Sequence, residues 1–577
     1  ADRRDQSRVE IVSGGDVVFE KDSLTLATGG QIAVDAGRRT HLNAGSELDV
    51  SGSVGVKVAM ESNNVLINVQ GNEQRDSPDN RDNGGLNNGD VWVDRRNLIF
   101  VPAGTGGYET DRWYTAGGLL EVSGYLDLQG HGIGEWSAAG GTVLLGGSEV
   151  VTQTGSSVNL SGGTLDVQTG YIAKTWLKGA DGRLYDAATA PASMLYTGIY
   201  QGYERVSERW GQTDAWRNPL IAPERQLENG YTVGRDAGTL IINAPTAVLE
   251  GDIVADVFQG ERQNQAQDAG RDSYQQAQNR VARRGRLAVG QYGQYGLENA
   301  YGSDIRIGEF DDISEQLTLE SDLSERLNTV WLDAGRLNEQ RLGGLDLVSG
   351  GSISVENDLV LAEGGQLRLV SGQVEVDAAV TARGGGITLT NMLTPEGVNS
   401  ATRIVFTDED SNSELRLSEN GQLDTRGLWS NGLLESGENW KQAYVDGGDV
   451  TIEGTQDVTL AEGSLVDVSS GAALKADGEL LGGHGGDITL GANVPINTST
   501  STNRPGGGTL VLDGELRSYG VAGGGELILE TGQAVVIGDG GLDTNGVLRA
   551  GEEAPFDLTL AEDLVISAGQ PLPFDYS

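Results

Sequence analysis

Gly447-Gly448-Asp449-Val450-Thr451-Ile452-Glu453-Gly454 opens a stretch that closes, after residues 455–462, on Gly463-Ser464-Leu465-Val466-Asp467-Val468-Ser469. A glycine pair leads a short alternating strand, with Val450 and Ile452 directed to one face and Thr451 and Glu453 to the other. Gly-Ser leads a second strand of the same kind. The unit returns at two distant places. Gly29-Gly30-Gln31-Ile32-Ala33-Val34 leads to Gly45-Ser46-Glu47-Leu48-Asp49-Val50-Ser51-Gly52. Gly140-Gly141-Thr142-Val143-Leu144-Leu145 leads to Gly155-Ser156-Ser157-Val158-Asn159-Leu160-Ser161-Gly162. From the second glycine of the pair to the Gly-Ser glycine the spacing is 15, 14 and 15 residues (30 to 45, 141 to 155, 448 to 463). Internal spacing kept over hundreds of residues marks a repeat architecture.

Composition agrees with many short strands and tight turns. The 577 residues hold 88 glycines, about twice the ordinary share, but only 12 prolines. No Gly-X-Y period accompanies them, so collagen and proline-rich disorder fit poorly. With 40 Lys and Arg against 84 Asp and Glu, the formal net charge is −44. Such a surface repels phosphate backbones and anionic lipid heads, which argues against nucleic-acid and membrane-surface partners. It keeps a repetitive β protein from associating and leaves carboxylates for weak surface binding of Ca²⁺. The absence of cysteine excludes disulfides, thiolate metal sites and a cysteine nucleophile. No apolar run reaches the ~18 residues of a spanning helix. A charged start at Ala1 without a signal-peptide pattern, and a Pro571-Leu572-Pro573-Phe574 end, read as a processed form or a fragment.

Taken in order, residues 1–169 read as strand after strand, interrupted by a polar loop at 74–88. Residues 118–163 are expected to add about two further repeats, including Tyr125-Leu126-Asp127-Leu128 as a strand. Residues 170–235 change character. Tyr171, Trp176, Tyr185, Tyr196, Tyr200, Tyr203, Trp210 and Trp216 crowd into them, against 9 Trp and 16 Tyr in the whole chain. This is an insertion with its own local packing. Strands resume at 236–258. Residues 259–342 form a polar insertion whose structure the pattern leaves open, helix and strand competing at 307–342. The repeat is clearest at 343–393, a second polar insertion follows at 394–443, and the repeat returns from 444 to 577.

Strands of four or five residues with one apolar face cannot bury that face alone. If each repeat returns the chain to the same place, strands stack about 4.8 Å apart and the inward Val, Leu and Ile fill one core. Glycines are expected at the corners, where positive φ is needed. The predicted fold is all-β, a parallel β-helix carrying loop and small-subdomain insertions. With the insertions set aside, ~400 residues at ~22 per turn give ~18 turns and a rod of roughly 85 Å. A string of β-sandwiches is the competing arrangement, disfavoured because one unit recurs near both ends.

Gly-Gly-x-Ile/Val-x-Val/Leu/Ile followed by Gly-Ser-x-Leu/Val-Asp/Asn-Val/Leu-Ser resembles the filamentous-haemagglutinin-like large exoproteins. Leu119-Leu120-Glu121-Val122-Ser123-Gly124-Tyr125, Gly134-Glu135-Trp136 and Gly179-Ala180-Asp181-Gly182-Arg183-Leu184-Tyr185 are similar to the central region of that family. The resemblance implies a right-handed β-helix adhesin. It further implies export through an outer-membrane transporter partner in two-partner secretion, and display on or shedding from a Gram-negative cell. The family's amino-terminal secretion domain and carboxy-terminal toxin are not evident in this sequence. The chain would therefore be the shaft.

Catalysis has little to rest on. β-Helical polysaccharide lyases and hydrolases need carboxylates gathered in a groove, and no compact motif singles out a pair. There is no P-loop, Gly-x-Ser-x-Gly elbow or His-Glu-x-x-His. His41, His131 and His484 lie far apart among glycines or turn residues and are expected at solvent-exposed corners. Gly482-Gly483-His484-Gly485-Gly486-Asp487-Ile488-Thr489-Leu490 nearly matches the calcium β-roll nonapeptide, but it occurs once and reads as an ordinary corner. No catalytic, metal or cofactor residue is predicted. The aromatic insertion is the candidate binding surface. Exposed Trp176, Tyr196, Tyr200, Tyr203, Trp210 and Trp216 would stack on sugar rings, with Arg205, Arg209 and Arg217 bonding hydroxyls. The competing reading gives those rings to the insertion's own core. The expected role is a rigid secreted shaft of a surface or biofilm-matrix adhesin, presenting surfaces to exopolysaccharide or to host or neighbour-cell glycans. A fibre subunit polymerising end to end through open edges and a polysaccharide-cleaving enzyme are the alternatives.

Overall fold

The computed structural model describes residues 6–126, 128–216, 218–267, 277–290, 302–393, 403–407, 412–434, 437–496 and 508–531, with short strands at 540–542, 548–550 and 575–576. The chain is all-β, built on long parallel sheets. Two of them hold 11 strands each. The first runs Arg8–Ser13, Gln31–Ala36, Thr142–Gly146, Thr239–Asn243, Arg286–Val289, Gly344–Val348, Gln366–Val370, Gly386–Thr390, Asp449–Glu453, Ile488–Ala492 and Leu527–Thr531. The second takes the strand that follows in most cases: Val17–Phe19, Arg39–Leu42, Glu149–Thr152, Thr246–Leu249, then Thr329–Asp333 and Asp304–Gly308, then Ser352–Val355, Gln373–Val376, Glu414–Leu417, Asp457–Leu460 and Leu510–Leu512. The strands led by Gly-Ser (Glu47–Asp49, Ser157–Asn159, Leu465–Asp467) fall in shorter parallel sheets at a third position.

Period-two alternation fixes the register. Ile32, Val143, Leu240, Leu287, Leu345, Leu367, Ile387, Val450 and Ile488 stand opposite one another up the first sheet. All are buried, in one continuous cluster that extends from Phe19 to Leu516. Each such side chain contributes about 1.5–3 kcal/mol by leaving water. A slip of one residue would turn the whole ladder outward, so burial itself specifies the pairing.

The repeat motif acquires a physical meaning at each position. The second glycines of the pairs stack on one another. A Cβ on Gly141 would collide with the Gly30 carbonyl oxygen, one on Gly448 with that of Gly385, and one on Gly486 with that of Gly448. These glycines are therefore demanded by close backbone approach rather than by positive φ, a correction to the sequence expectation. Positive φ belongs to the Gly-Ser glycines, at +83°, +84° and +91° for Gly45, Gly155 and Gly463. The serine hydroxyls of Ser46 and Ser156 donate back to the Asn43 and Gln153 carbonyls, both at 2.7 Å. The Asp or Asn that ends the strand accepts from the amide two residues on, Ser51 to Asp49, Ser161 to Asn159 and Ser469 to Asp467. Each is a side-chain turn that closes the corner.

Three expectations are revised. The ~18 levels foreseen from repeat length become 11 strands in each long sheet, because more of the chain is spent in excursions. Residues 64–126, read as repeats apart from the polar loop at 74–88, leave the long sheets: Asn64–Val69 pairs antiparallel with Gly89–Asp94, and Ser123–Leu126 is helical. A hairpin and a stacked strand share the same alternation, so periodicity could not separate them. Conversely, the supposed insertions at 259–342 and 394–443 contribute Arg286–Val289, Asp304–Gly308, Thr329–Asp333, Glu414–Leu417 and Gln422–Asp424 to the parallel sheets. Their apolar positions are few, but each meets the ladder.

Candidate functional site

The aromatic insertion is a series of small antiparallel pairs. Gly170–Ala173 pairs with Arg225–Glu228, Trp176–Gly179 with both Leu184–Asp186 and Tyr196–Ile199, and Tyr203–Ser207 with Gln212–Trp216. Its core is shared rather than private. Leu177, Ala187, Ala190 and Tyr196 pack with Val65, Ile67, Val91, Val93, Trp113, Leu119 and Leu120 from the preceding excursion.

The six predicted sugar-stacking residues separate into two groups. Tyr196 is 0% exposed and Tyr200 8%. The Tyr196 hydroxyl donates to the Pro191 carbonyl at 2.9 Å, and its ring meets Tyr185 edge-on at 5.6 Å. Trp176 is half-buried and donates through Nε1 to the Pro223 carbonyl at 2.9 Å. Tyr196 and Tyr200 are buried, which removes them from any exposed surface, and Trp176 is tied down at its indole nitrogen. Tyr203, Trp210 and Trp216 are 72%, 73% and 53% exposed.

The exposed three lie on one hairpin. Tyr203 stands directly opposite Trp216, and Arg205 opposite Asp214 two positions along the same face. Trp210 sits in the turn, where its amide and that of Gly211 donate to the Ser207 carbonyl at 3.0 and 2.9 Å. Gly211 takes φ of +60°, which closes the turn. The Arg209 guanidinium lies 5.6 Å from the Trp210 ring centre. Arg217 falls outside the described residues. The hairpin therefore presents rings beside cations and a carboxylate, the set that grips a polyhydroxylated ligand by stacking and hydrogen bonding. Sequence reasoning overlooked its apolar neighbours. Tyr171 and Leu227 face each other across the adjoining pair and are 47% and 58% exposed, while Leu220 and Ile221 follow the hairpin exposed. An apolar Leu-Ile between Pro219 and Pro223 was the available signal.

The histidines differ from expectation in two cases, His131 and His41. His484 is exposed at a corner, bridging Gly523 of the next level. His131 is half-buried, with Nδ1 3.1 Å from Glu135. His41 is 1% exposed, in the second sheet, where its strand partner Val151 is covered by Ile313, Leu317 and Leu323.

Carboxylates line a groove of about 570 Å³ between Glu309, Asn338, Glu356, Asp358, Asp377 and Asn420. Three of its acids are occupied structurally. Glu356 is held by Arg306 at 2.7 Å, which keeps its carboxyl below the ordinary range. Asp358 accepts from the Ala379 amide at 3.0 Å, and Asp377 from Asn420 at 3.2 Å. Among the described residues no group of three or more His, Asp and Glu is arranged to hold a metal ion, and no helix is long and apolar enough to cross a membrane. Comparison with protein families, curated proteins and solved structures finds no match.

Proposed function

We propose that this chain is the shaft of a secreted bacterial surface or matrix adhesin, wound as a right-handed parallel β-helix. The observation that carries the reading is the alternation of consecutive strands between the two 11-stranded parallel sheets around a single apolar core. Such a body resists bending because every level is tied to its neighbours by backbone hydrogen bonds and by the ladder of side chains. Its work is mechanical: it holds contact surfaces away from the cell. The acidic exterior prevents shafts from clinging to one another or to anionic cell envelopes. Export through an outer-membrane partner of a Gram-negative cell accompanies this reading, and the lack of cysteine suits a chain that crosses an oxidising compartment unfolded.

The contact surface of this shaft is the Tyr203/Trp210/Trp216 hairpin, and its ligand class is glycan, exopolysaccharide or cell-surface. A glycan array with the parent chain and with Trp210→Ala and Trp216→Ala tests the contact. Selective binding by the parent that both variants lose supports it, and an unselective or unchanged profile rejects it. Negative-stain electron microscopy tests the shaft. Separate short rods of one length support it, long fibres favour the end-to-end polymer, and compact spheres reject both.

A further inference from the structure

Residues 309–328, between the strands Asp304–Gly308 and Thr329–Asp333, cross the outer face of the second sheet as a strap. Beneath it runs an outward-facing column, Val18, His41, Val151, Val248 and Trp331, in register on successive strands. Ile313, Leu317 and Leu323 of the strap pack on Val151 and Val248. Polar anchors fasten it at both ends. Arg39, 1% exposed, donates to the carbonyls of Thr318, Leu319 and Ser321 at 2.9, 3.1 and 2.7 Å while its Nε meets Glu149 at 2.8 Å. Arg38 donates to the Leu319 carbonyl at 3.1 Å. Gln153 donates to the carbonyls of Ser314 and Leu317 at 3.0 and 2.8 Å, and Glu250 accepts the amides of Ile313 and Ser314, both at 2.8 Å.

His41 is the discordant member of this column. Both ring nitrogens are buried without a hydrogen-bond partner, whereas buried polar groups are ordinarily satisfied. The charged groups on the elements around it are Arg39 on its own strand, Arg38 in the preceding turn, Asp16 and Glu20 flanking Val17–Phe19, Glu149 on the next strand, and Glu320 and Asp322 in the strap. Asp16 is engaged by Arg38 at 2.7 Å, Glu149 by Arg39 and Asp322 by Ser324, and Glu320 acts on Arg38. Glu20, which accepts from Asn43 at 3.2 Å, is the acid that acts on the imidazole. Burial, reinforced by Arg39 and opposed by Glu20, pushes the imidazole below its ordinary value. The neutral ring is tolerated under the strap, and an imidazolium there would lack any acceptor.

We propose that the 309–328 strap is a pH-sensitive clasp: protonation of His41 in mild acid lifts it from the second sheet and uncovers the Val151 and Val248 strip, while the sheets beneath stay intact. The sign follows from linkage. The open state binds the proton more tightly than the closed one, so clasp stability is complete above the open-state value near 6.5 and declines as pH falls below it. The core ladder lies on the inner face and gains no charge, so opening is local.

Hydrogen exchange read by mass spectrometry, at about pH 7.5 and pH 5.0 and corrected for intrinsic rates, tests the clasp on the full chain. Peptides covering 309–328 should lose protection about tenfold or more in acid, while peptides covering 344–390 keep theirs. The loss should vanish in His41→Leu, with His41→Gln as the second non-titrating variant should the first not fold. Equal strap protection at both pH values overturns the proposal. So does an acid loss that persists in the non-titrating variant, or a loss spread evenly over the rungs.

Discussion

Asp346 and Arg368 stand opposite each other on neighbouring strands of the first sheet, with Arg368 Nε and Nη2 donating to Asp346 Oδ1 and Oδ2 at 2.8 and 2.7 Å. Arg286 reaches the same carboxylate from the strand below, its side chain lying over Gly344, where a Cβ would obstruct it. Asp346 is fully buried by this pair, while the two arginines keep partial contact with water. Asp346→Ala removes the shared acceptor but lets both guanidinia return to solvent, so its cost is about 2 kcal/mol. A lowered urea midpoint with an unchanged slope is the expected result, and Asp346→Asn should recover part of the loss.

The two kinds of motif glycine should respond differently to alanine. Gly463→Ala forces a Cβ onto a backbone at φ +91° and should cost about 1–2 kcal/mol. Gly448→Ala drives a methyl into the Gly385 carbonyl and should reach or exceed the upper end of the ~1–3 kcal/mol that overpacking costs. Thermal midpoints of the two variants, measured side by side, check the order.

Leu389 and Ile452 are partners one level apart, exposed by 0% and 1%. Leu389→Ala or Ile452→Ala opens a cavity in the ladder and should cost about 2–5 kcal/mol each. The double variant should differ from the sum, because both mutations open the same space. Chemical denaturation of the full set measures that coupling.

Within the aromatic insertion, stability and binding should part company. Tyr196→Ala deletes a fully buried ring and should destabilise the excursion by about 3–5 kcal/mol. Trp210→Ala, on an exposed turn, should stay within about 0.5 kcal/mol of the parent and lose only ligand. Circular dichroism melts together with the glycan array distinguish the two.

The sheets were legible in the sequence because their rule is local: a glycine that tolerates a carbonyl beneath it, two apolar residues two apart, then Gly-Ser and an Asx turn. Ile32, Val143 and Val450 carry that rule and all face the core. Val65, Ile67, Val91 and Val93 obey the same alternation, yet they build a hairpin, because pairing direction leaves no trace in period two. Arg286–Val289 was hidden, and Thr329–Asp333 left open between helix and strand, by polar surroundings whose job emerges only in three dimensions. Arg39 illustrates this: its neighbours in space are at 149 and 318–321. Exposure within the aromatic segment was equally non-local. Tyr196 and Tyr203 look alike in sequence, and only the docking of residues 64–122 decides that one is covered.

The strand Thr329–Asp333 lies between Thr246–Leu249 and Asp304–Gly308 although it comes later in the chain than both. A polypeptide emerging amino end first can add strands one above another as far as Arg286–Val289, and there the simple winding order stops. Asp304–Gly308 pairs with the later strand on one side and with Ser352–Val355 on the other, so the segment after it doubles back to place Thr329–Asp333 in the gap. The side chains that receive this returning segment, Arg39, Gln153 and Glu250, all belong to levels already laid down. The order of the levels and the order of the chain therefore part at this point, and they rejoin at Gly344–Val348 and Ser352–Val355.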